Sequence, residues 1–363
     1  MQALSARALS CSRSLTDTQN MVNGRYELVE RTAEGGMAAV WRANVVGAAG
    51  FRRPVAIKRI LPGQNDDLFA KMFVEEARIG SQLQHPNIVQ VFDFGHDDMG
   101  MYLVMEWVEG VDLNEYMKAH REAERPIPWP IVTSIGIDAL RGLRAAHERV
   151  DADGRLSPVI HRDVTPANIL LDISGMARLT DFGVSRAMDR ASWTSPDIVK
   201  GKLAYMAPEI FADKPASARS DLFSLGVALW EALAGRRLYS GTDVEVFLAA
   251  REAEIPSLTR FRDDLPRELV GAVERALHRQ PEHRFPSALE MLRELSLAMR
   301  RSTLFVEESL AQSVAEVRRG LRRQPPAGPR SGQRTVPACP PPDPTEQVFY
   351  LTRRKKTRLK RSR

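Results

Sequence analysis

The chain has 363 residues, 43% of them apolar, enough to bury a large core. Its two cysteines, Cys11 and Cys339, exclude a disulfide framework and a cysteine metal site, and no apolar run reaches the length of a membrane span. The net charge of +6 is uneven: residues 318–363 hold 14 Lys and Arg against two acidic residues, an excess of 12 that leaves the rest of the chain at −6 and gives it no nucleic-acid-binding character.

Residues 1–24 are Ser-rich and aperiodic and read as a disordered leader; they lack the continuous apolar core of a secretory signal, which points to a cytoplasmic protein. Three β-rich runs, YELVERTA, AAVWRANVV and RPVAIKRIL, then predict an antiparallel meander. A helix is predicted over 66–83 from the spacing of Leu68, Phe69, Met72, Phe73, Ile79 and Leu83, and His85-Pro86-Asn87 ends it. Two more strands, NIVQVFDFG and MYLVMEWVE, follow. Beyond residue 110 the periodicity is helical, over 131–148, 220–234, 245–254 and 267–279. The pattern is that of an α+β protein of two lobes, a small antiparallel β lobe with one helix over 26–108 and a larger helical lobe over 109–299. Residues 300–324 read as a helical extension or linker. Residues 325–363, with 8 prolines between 325 and 344 and the ending RRKKTRLKRSR, cannot bury enough apolar surface to fold and read as a disordered tail.

Six short motifs stand in order along this frame: AEGGMAAV over 33–40, VAIK ending at Lys58, FVEEAR over 73–78, HRDVTPAN over 161–168, DFG at 181–183 and APE at 207–209. Each is weak alone. Together, with DFG thirteen residues after Asn168 across a hairpin-like ILLDISGMARLT, they are specific. Over 26–299 the chain resembles the eukaryote-like (Hanks-type) serine/threonine protein kinases of bacteria.

The resemblance implies ATP and Mg²⁺ as cofactors and serine/threonine hydroxyls of proteins as acceptors. It implies that the loop carrying Ala33, Gly35 and Gly36 approaches the phosphates, although alanines at 33 and 38 replace two of the usual three glycines. Lys58 would hold the α- and β-phosphates and pair with Glu76, while Glu75 fits a solvent-facing helix position. Val40, Ala56 and Leu170 would line the adenine slot, with Met105 at its back. Backbone groups of Glu106 and Val108 would meet the base, and Asp112 the ribose. Asp163 would accept the hydroxyl proton, and Asn168 and Asp181 would ligate Mg²⁺. Glu209 would pair with Arg284, and the helix bearing Asp221 and Gly226 would anchor the catalytic loop. Gly80 stands where the family has a larger apolar residue stacked with those at Val91, His161 and Phe182, so a gap is expected there. Arg162 would read a phosphate on the activation segment, at Ser192, Thr194 or Ser195. Pro166 follows the serine/threonine pattern rather than the tyrosine one.

One departure is pronounced. The catalytic loop carries Thr165 where the family has lysine, and the segment before APE carries Lys202 where the family has threonine. The two residue types have exchanged places, so an ammonium from Lys202 is expected to enter the site. Two alternatives remain, a pseudokinase scaffold and a small-molecule phosphotransferase. The basic tail is either a solvated end or a weak contact for anionic surfaces.

Overall fold

The computed structural model describes residues 20–34, 38–61, 67–182 and 202–323. A six-stranded antiparallel sheet opens the fold: β1 (Met21–Val22), β2 (Tyr26–Glu34), β3 (Ala38–Val46), β4 (Arg52–Ile60), β5 (Val91–Asp97) and β6 (Gly100–Glu106), in the order β1-β2-β3-β4-β6-β5. Residues 21 and 22 therefore correct the expected leader, because their strand pairs with β2 and Val22 is fully buried. Two residues are too few for alternation to show in sequence, and their pairing is tertiary.

Alternation along β4 turns Val55 and Ile57 into one apolar cluster with Tyr26 and Tyr102, and Ala56 into another with Phe73, Ala77 and Leu103. The second cluster docks helix α1 (Asp67–Ser81) under the sheet. The gap expected at Gly80 is absent. A Cβ there would lie 2.5 Å from Val91 Cγ2, so the β5 valine already fills the space.

The helical lobe begins with β7 (Gly110–Asp112) and α2 (Leu113–Glu122), which Asp112 starts with a reciprocal capping box to Glu115. The central α3 (Trp129–His147) buries almost all of one length against α5 (Ala218–Ala234) and α8 (Ala288–Met299), with α4 (Pro208–Phe211), α6 (Asp243–Glu252) and α7 (Arg267–Ala276) around them. Strands β8 (Ile169–Asp172) and β9 (Ala177–Leu179) form a small antiparallel sheet with β7, as the hairpin-like motif implied.

The stretch read as an extension or linker is a docked helix, α9 (Val306–Arg323). Its apolar positions Leu310 and Val314 are fully buried in the helical lobe's core, four apart as one helix face requires. Its Ser313 Oγ accepts from the Tyr116 hydroxyl at 2.8 Å. Its first turn rests on the β8–β9 turn, where Gly175 has φ 86° and a Cβ would lie 2.2 Å from the Glu307 carbonyl oxygen.

Candidate active site

Lys58 joins three elements. It sits on β4 opposite Val40 of β3, with Nζ 2.7 Å from Glu76 Oε1 on α1 and 3.0 Å from Asp181 Oδ1 beyond β9. Lys58 and Glu76 are both buried, so each charge needs the other. Glu75 faces outward and pairs with Arg78 at 2.7 Å. Burial would drive the Lys58 ammonium to lose its proton, but Asp181 and Glu76 outweigh it and hold the group above the usual lysine range. Burial pushes Glu76 up to about 7 against the pull of Lys58. It would also raise Asp181, but Lys58 and then Lys202 hold that carboxyl below its ordinary value.

The catalytic loop hangs from Asp221 of α5. Its Oδ2 accepts the His161 backbone N–H and His147 Nε2, each at 2.8 Å, and its Oδ1 accepts the Arg162 backbone N–H at 2.8 Å. These bonds hold a strained turn at Arg162, φ 69°, and Asp181 is left-handed as well, at φ 63°. Left-handed backbone at a non-glycine residue costs about 1–3 kcal/mol and persists only where its surroundings fix it. His161 accepts the Asp163 N–H at Nδ1 (3.3 Å) and donates from Nε2 to the Thr180 carbonyl (3.1 Å), which defines the neutral Nε2–H tautomer. Burial holds its pKa down, in keeping with that state. Its ring lies 4.3 Å from that of Phe182, centroid to centroid.

Asp163 receives two donors on one oxygen. Asn168 Nδ2 reaches Asp163 Oδ2 at 3.0 Å and the Asp163 carbonyl at 2.8 Å, and Lys202 Nζ reaches the same Oδ2 at 2.5 Å. Thr165 is buried beside them, its backbone carbonyl accepting the Asn168 N–H and its side chain making no capping bond. The donors available to a cation are hard oxygens, the Asp181 carboxylate and the Asn168 amide oxygen, whose Nδ2 is already committed. That set suits Mg²⁺, which takes one or two protein oxygens and completes its shell from phosphate and water. It does not suit an all-protein cage, and among the described residues no cluster of three His, Cys, Asp or Glu could form one.

The apolar residues named from sequence come together. Ala56 and Met105 are buried in one cluster, with Val40, Val108 and Leu170 packed against it. Glu106 gives its backbone N–H to the Gln90 carbonyl at 2.8 Å. Asp112 uses Oδ1 to cap α2, and burial, aided by Glu115, pushes its carboxyl up to about 7. Ala33 is exposed on β2, paired with Val40. Gly35, Gly36, Ser192, Thr194 and Ser195 lie outside the described residues, as does the basic tail.

Two arginines at the lobe connection were not legible in the sequence. Arg178 of β9 pairs with both Glu106 and Asp172, and Arg318 of α9 pairs with Glu109, which also accepts the Trp107 indole N–H at 2.6 Å. The Trp107 ring lies under Arg42 of β3, 5.6 Å from the guanidinium carbon. Arg318 stands 209 residues from Glu109 and no local pattern announces the contact.

A buried lysine–glutamate pair crossing from sheet to helix, tied to a strained loop that presents Asp163 and Asn168, defines the class of two-lobed phosphotransferase folds. The chain belongs to the protein kinase family: the sequence model of the protein kinase domain matches residues 26–295. It is 40% identical over 267 residues to the tyrosine-protein kinase MasK of Myxococcus xanthus, covering 73% of this chain and 41% of that one. It is 31% identical over 302 residues to the serine/threonine-protein kinase PrkC of Bacillus subtilis, covering 81% and 44%. The chain thus spans less than half the length of these curated relatives. Among solved structures, the kinase domain of PknI from Mycobacterium tuberculosis superposes with a TM-score of 0.57 at 27% identity, over 77% of this chain and 98% of that one. Among the described residues no helix is long and apolar enough to cross a membrane.

Proposed function

We propose that the protein transfers the γ-phosphoryl group of ATP to serine and threonine hydroxyls of proteins, its own chain included. The observation that carries this reading is Lys58, bonded at once to Glu76 at 2.7 Å and to Asp181 at 3.0 Å, which is the assembled form of a phosphate-gripping site. Adenine occupies the slot between Val40, Ala56, Met105, Val108 and Leu170. Because the Glu106 N–H is engaged by Gln90, Glu106 meets the base through its carbonyl, and Val108 through its own backbone. Asp112, at the start of α2, meets the ribose through its carboxyl group. Lys58 holds the α- and β-phosphates. Asn168 and Asp181 would hold Mg²⁺, which would neutralise phosphate charge there.

Asp163 takes the proton of the acceptor hydroxyl as the new oxygen–phosphorus bond forms. The bond from the γ-phosphorus to the bridging oxygen breaks with its electron pair left on ADP. With Oδ2 already held by Asn168 and Lys202, the basic oxygen is Oδ1.

One observation favours a second reading: the 40%-identical relative is named a tyrosine-protein kinase, whereas PrkC is a serine/threonine one and Pro166 follows the serine/threonine pattern. Labelled ATP and generic protein substrates, wild type beside Asp163→Asn, followed by phosphoamino-acid analysis, test both. Phosphoserine and phosphothreonine from the wild type alone are expected. Phosphotyrosine alone assigns the second reading, and a wild type that transfers nothing overturns both.

A further inference from the structure

Phosphoryl transfer concentrates negative charge between the attacking and leaving oxygens, and a site answers it with preorganised cations. In this site the stretch of the catalytic loop that begins at Asp163 supplies none. From Asp163 to Asn168 it reads Asp-Val-Thr-Pro-Ala-Asn, without a basic side chain. Lys58 is committed to Glu76 and, on the reading above, to the α- and β-phosphates. A second ammonium nonetheless stands at the reacting point: Lys202 Nζ lies 2.5 Å from Asp163 Oδ2, with its side chain 39% exposed and the carboxylate 6% exposed.

The mount of Lys202 is firm. Its carbonyl accepts the Tyr205 N–H at 3.0 Å, closing the 3₁₀ turn of Leu203–Tyr205. Leu203 and Tyr205 are buried, and the Tyr205 hydroxyl donates to Glu231 Oε2 at 2.8 Å in the core of α5. An ammonium on such a base is placed before substrate arrives. Lys202 also contributes to holding down the Asp181 carboxyl, so its field reaches both acids of the site.

We propose that Lys202, entering from the end of the activation segment, is the catalytic cation of phosphoryl transfer in this chain, contacting the γ-phosphoryl oxygens and orienting Asp163, in place of a catalytic-loop lysine. This rests on the kinase reading above. Lys202 stays protonated throughout. The hydroxyl proton goes to Asp163, the new oxygen–phosphorus bond forms, and the leaving electron pair stays on ADP. Thr165 supplies a neutral, compact neighbour that leaves room for the incoming ammonium; a lysine at 165 would put two cations in one space.

The test is steady-state kinetics of the full chain, with Tm and ADP affinity measured on every variant. Lys202→Ala is expected to lower kcat about 100-fold or more, the scale of losing one preorganised contact to the transition state. Its KM for ATP, its ADP affinity and its Tm are expected to stay near wild type, which a structural role would not allow. Thr165→Lys alone is expected to lower kcat, and Thr165→Lys with Lys202→Thr to recover most of the loss. A Lys202→Ala enzyme as fast as wild type overturns the proposal. One faster than wild type also overturns it and makes the ion pair a latch on Asp163. A wild type inert toward ATP overturns the kinase reading and this inference together.

Discussion

Arg284 and Glu209 meet in a two-point ion pair, Nη1 to Oε1 at 2.8 Å and Nη2 to Oε2 at 2.7 Å, almost fully sealed from water. The remaining guanidinium donors go to the carbonyls of His278, Arg219 and Arg279, and the group lies over the Phe223 ring at 4.7 Å. Removing one partner strands a buried charge, so Arg284→Met is expected to cost about 3–5 kcal/mol in urea unfolding. Arg284→Met with Glu209→Gln is expected to recover a large part of that. A single variant within about 1 kcal/mol of wild type would show that the pair carries no net stability.

Asp112 gives stability a slope with pH. Burial and Glu115 push its carboxyl up to about 7, above the unfolded value near 3.8, so the folded protein holds the proton more tightly than the unfolded one. Its contribution is therefore greatest below the unfolded value and falls as pH rises toward 7. Asn caps a helix about as well as Asp. Asp112→Asn is thus expected to flatten the stability profile between pH 4 and 7 and to raise the KM for ATP through the lost ribose contact. Parallel slopes for the two proteins would refute the assignment.

Gly80 tolerates no side chain while Val91 stays in place, since Val91 Cγ2 occupies the position a Cβ would approach to 2.5 Å. Gly80→Leu is expected to destabilise by about 1–3 kcal/mol and, by shifting α1 and Glu76 from Lys58, to slow turnover. Val91→Ala in the same chain is expected to return part of both. Faster turnover in the single variant would mean that α1 docks loosely in the wild type.

Arg318 reaches the lobe connection from outside the matched kinase domain. It pairs with Glu109, which holds Trp107, which in turn stacks with Arg42 of the β lobe. Arg318→Ala is expected to raise the KM for ATP about fivefold, roughly 1 kcal/mol, with kcat nearly unchanged. Arg318→Lys, which keeps the cation and leaves Glu109 to Trp107, is expected to retain most of the wild-type affinity. Equal KM values in wild type and Arg318→Ala would detach α9 from nucleotide binding.

Much of the protein was legible before any coordinates. The six motifs named the side chains that meet around Lys58, and the alternation of β2 to β4 gave the strands that carry them. Glu76 was separable from Glu75, which fits a solvent-facing helix position. What sequence missed is tertiary in origin. Strand β1 is two residues long, α2 is set by a capping box whose apolar face is short, and Val91 reaching into the vacancy at Gly80 depends on the register of β5. The arginines at Glu106 and Glu109 look like any other in a chain where arginine outnumbers lysine 43 to 9. Scarcity made the opposite case for Lys202, one of six lysines before residue 351, and the structure puts that ammonium on Asp163.

Helix α9 also imposes an order on synthesis. A domain folds as its segments leave the ribosome, N-terminal parts first. Here the sheet, Lys58, the catalytic loop and the core of the helical lobe are all translated before Leu310 and Val314 exist to fill their places, and before Arg318 can reach Glu109. A nascent chain stopped at residue 295 has every motif of the family and still lacks the last piece of its packing at the lobe connection. Completion of the lobe connection waits for residue 318, beyond the matched domain, so a chain released at the end of that domain carries the motifs without the finished frame.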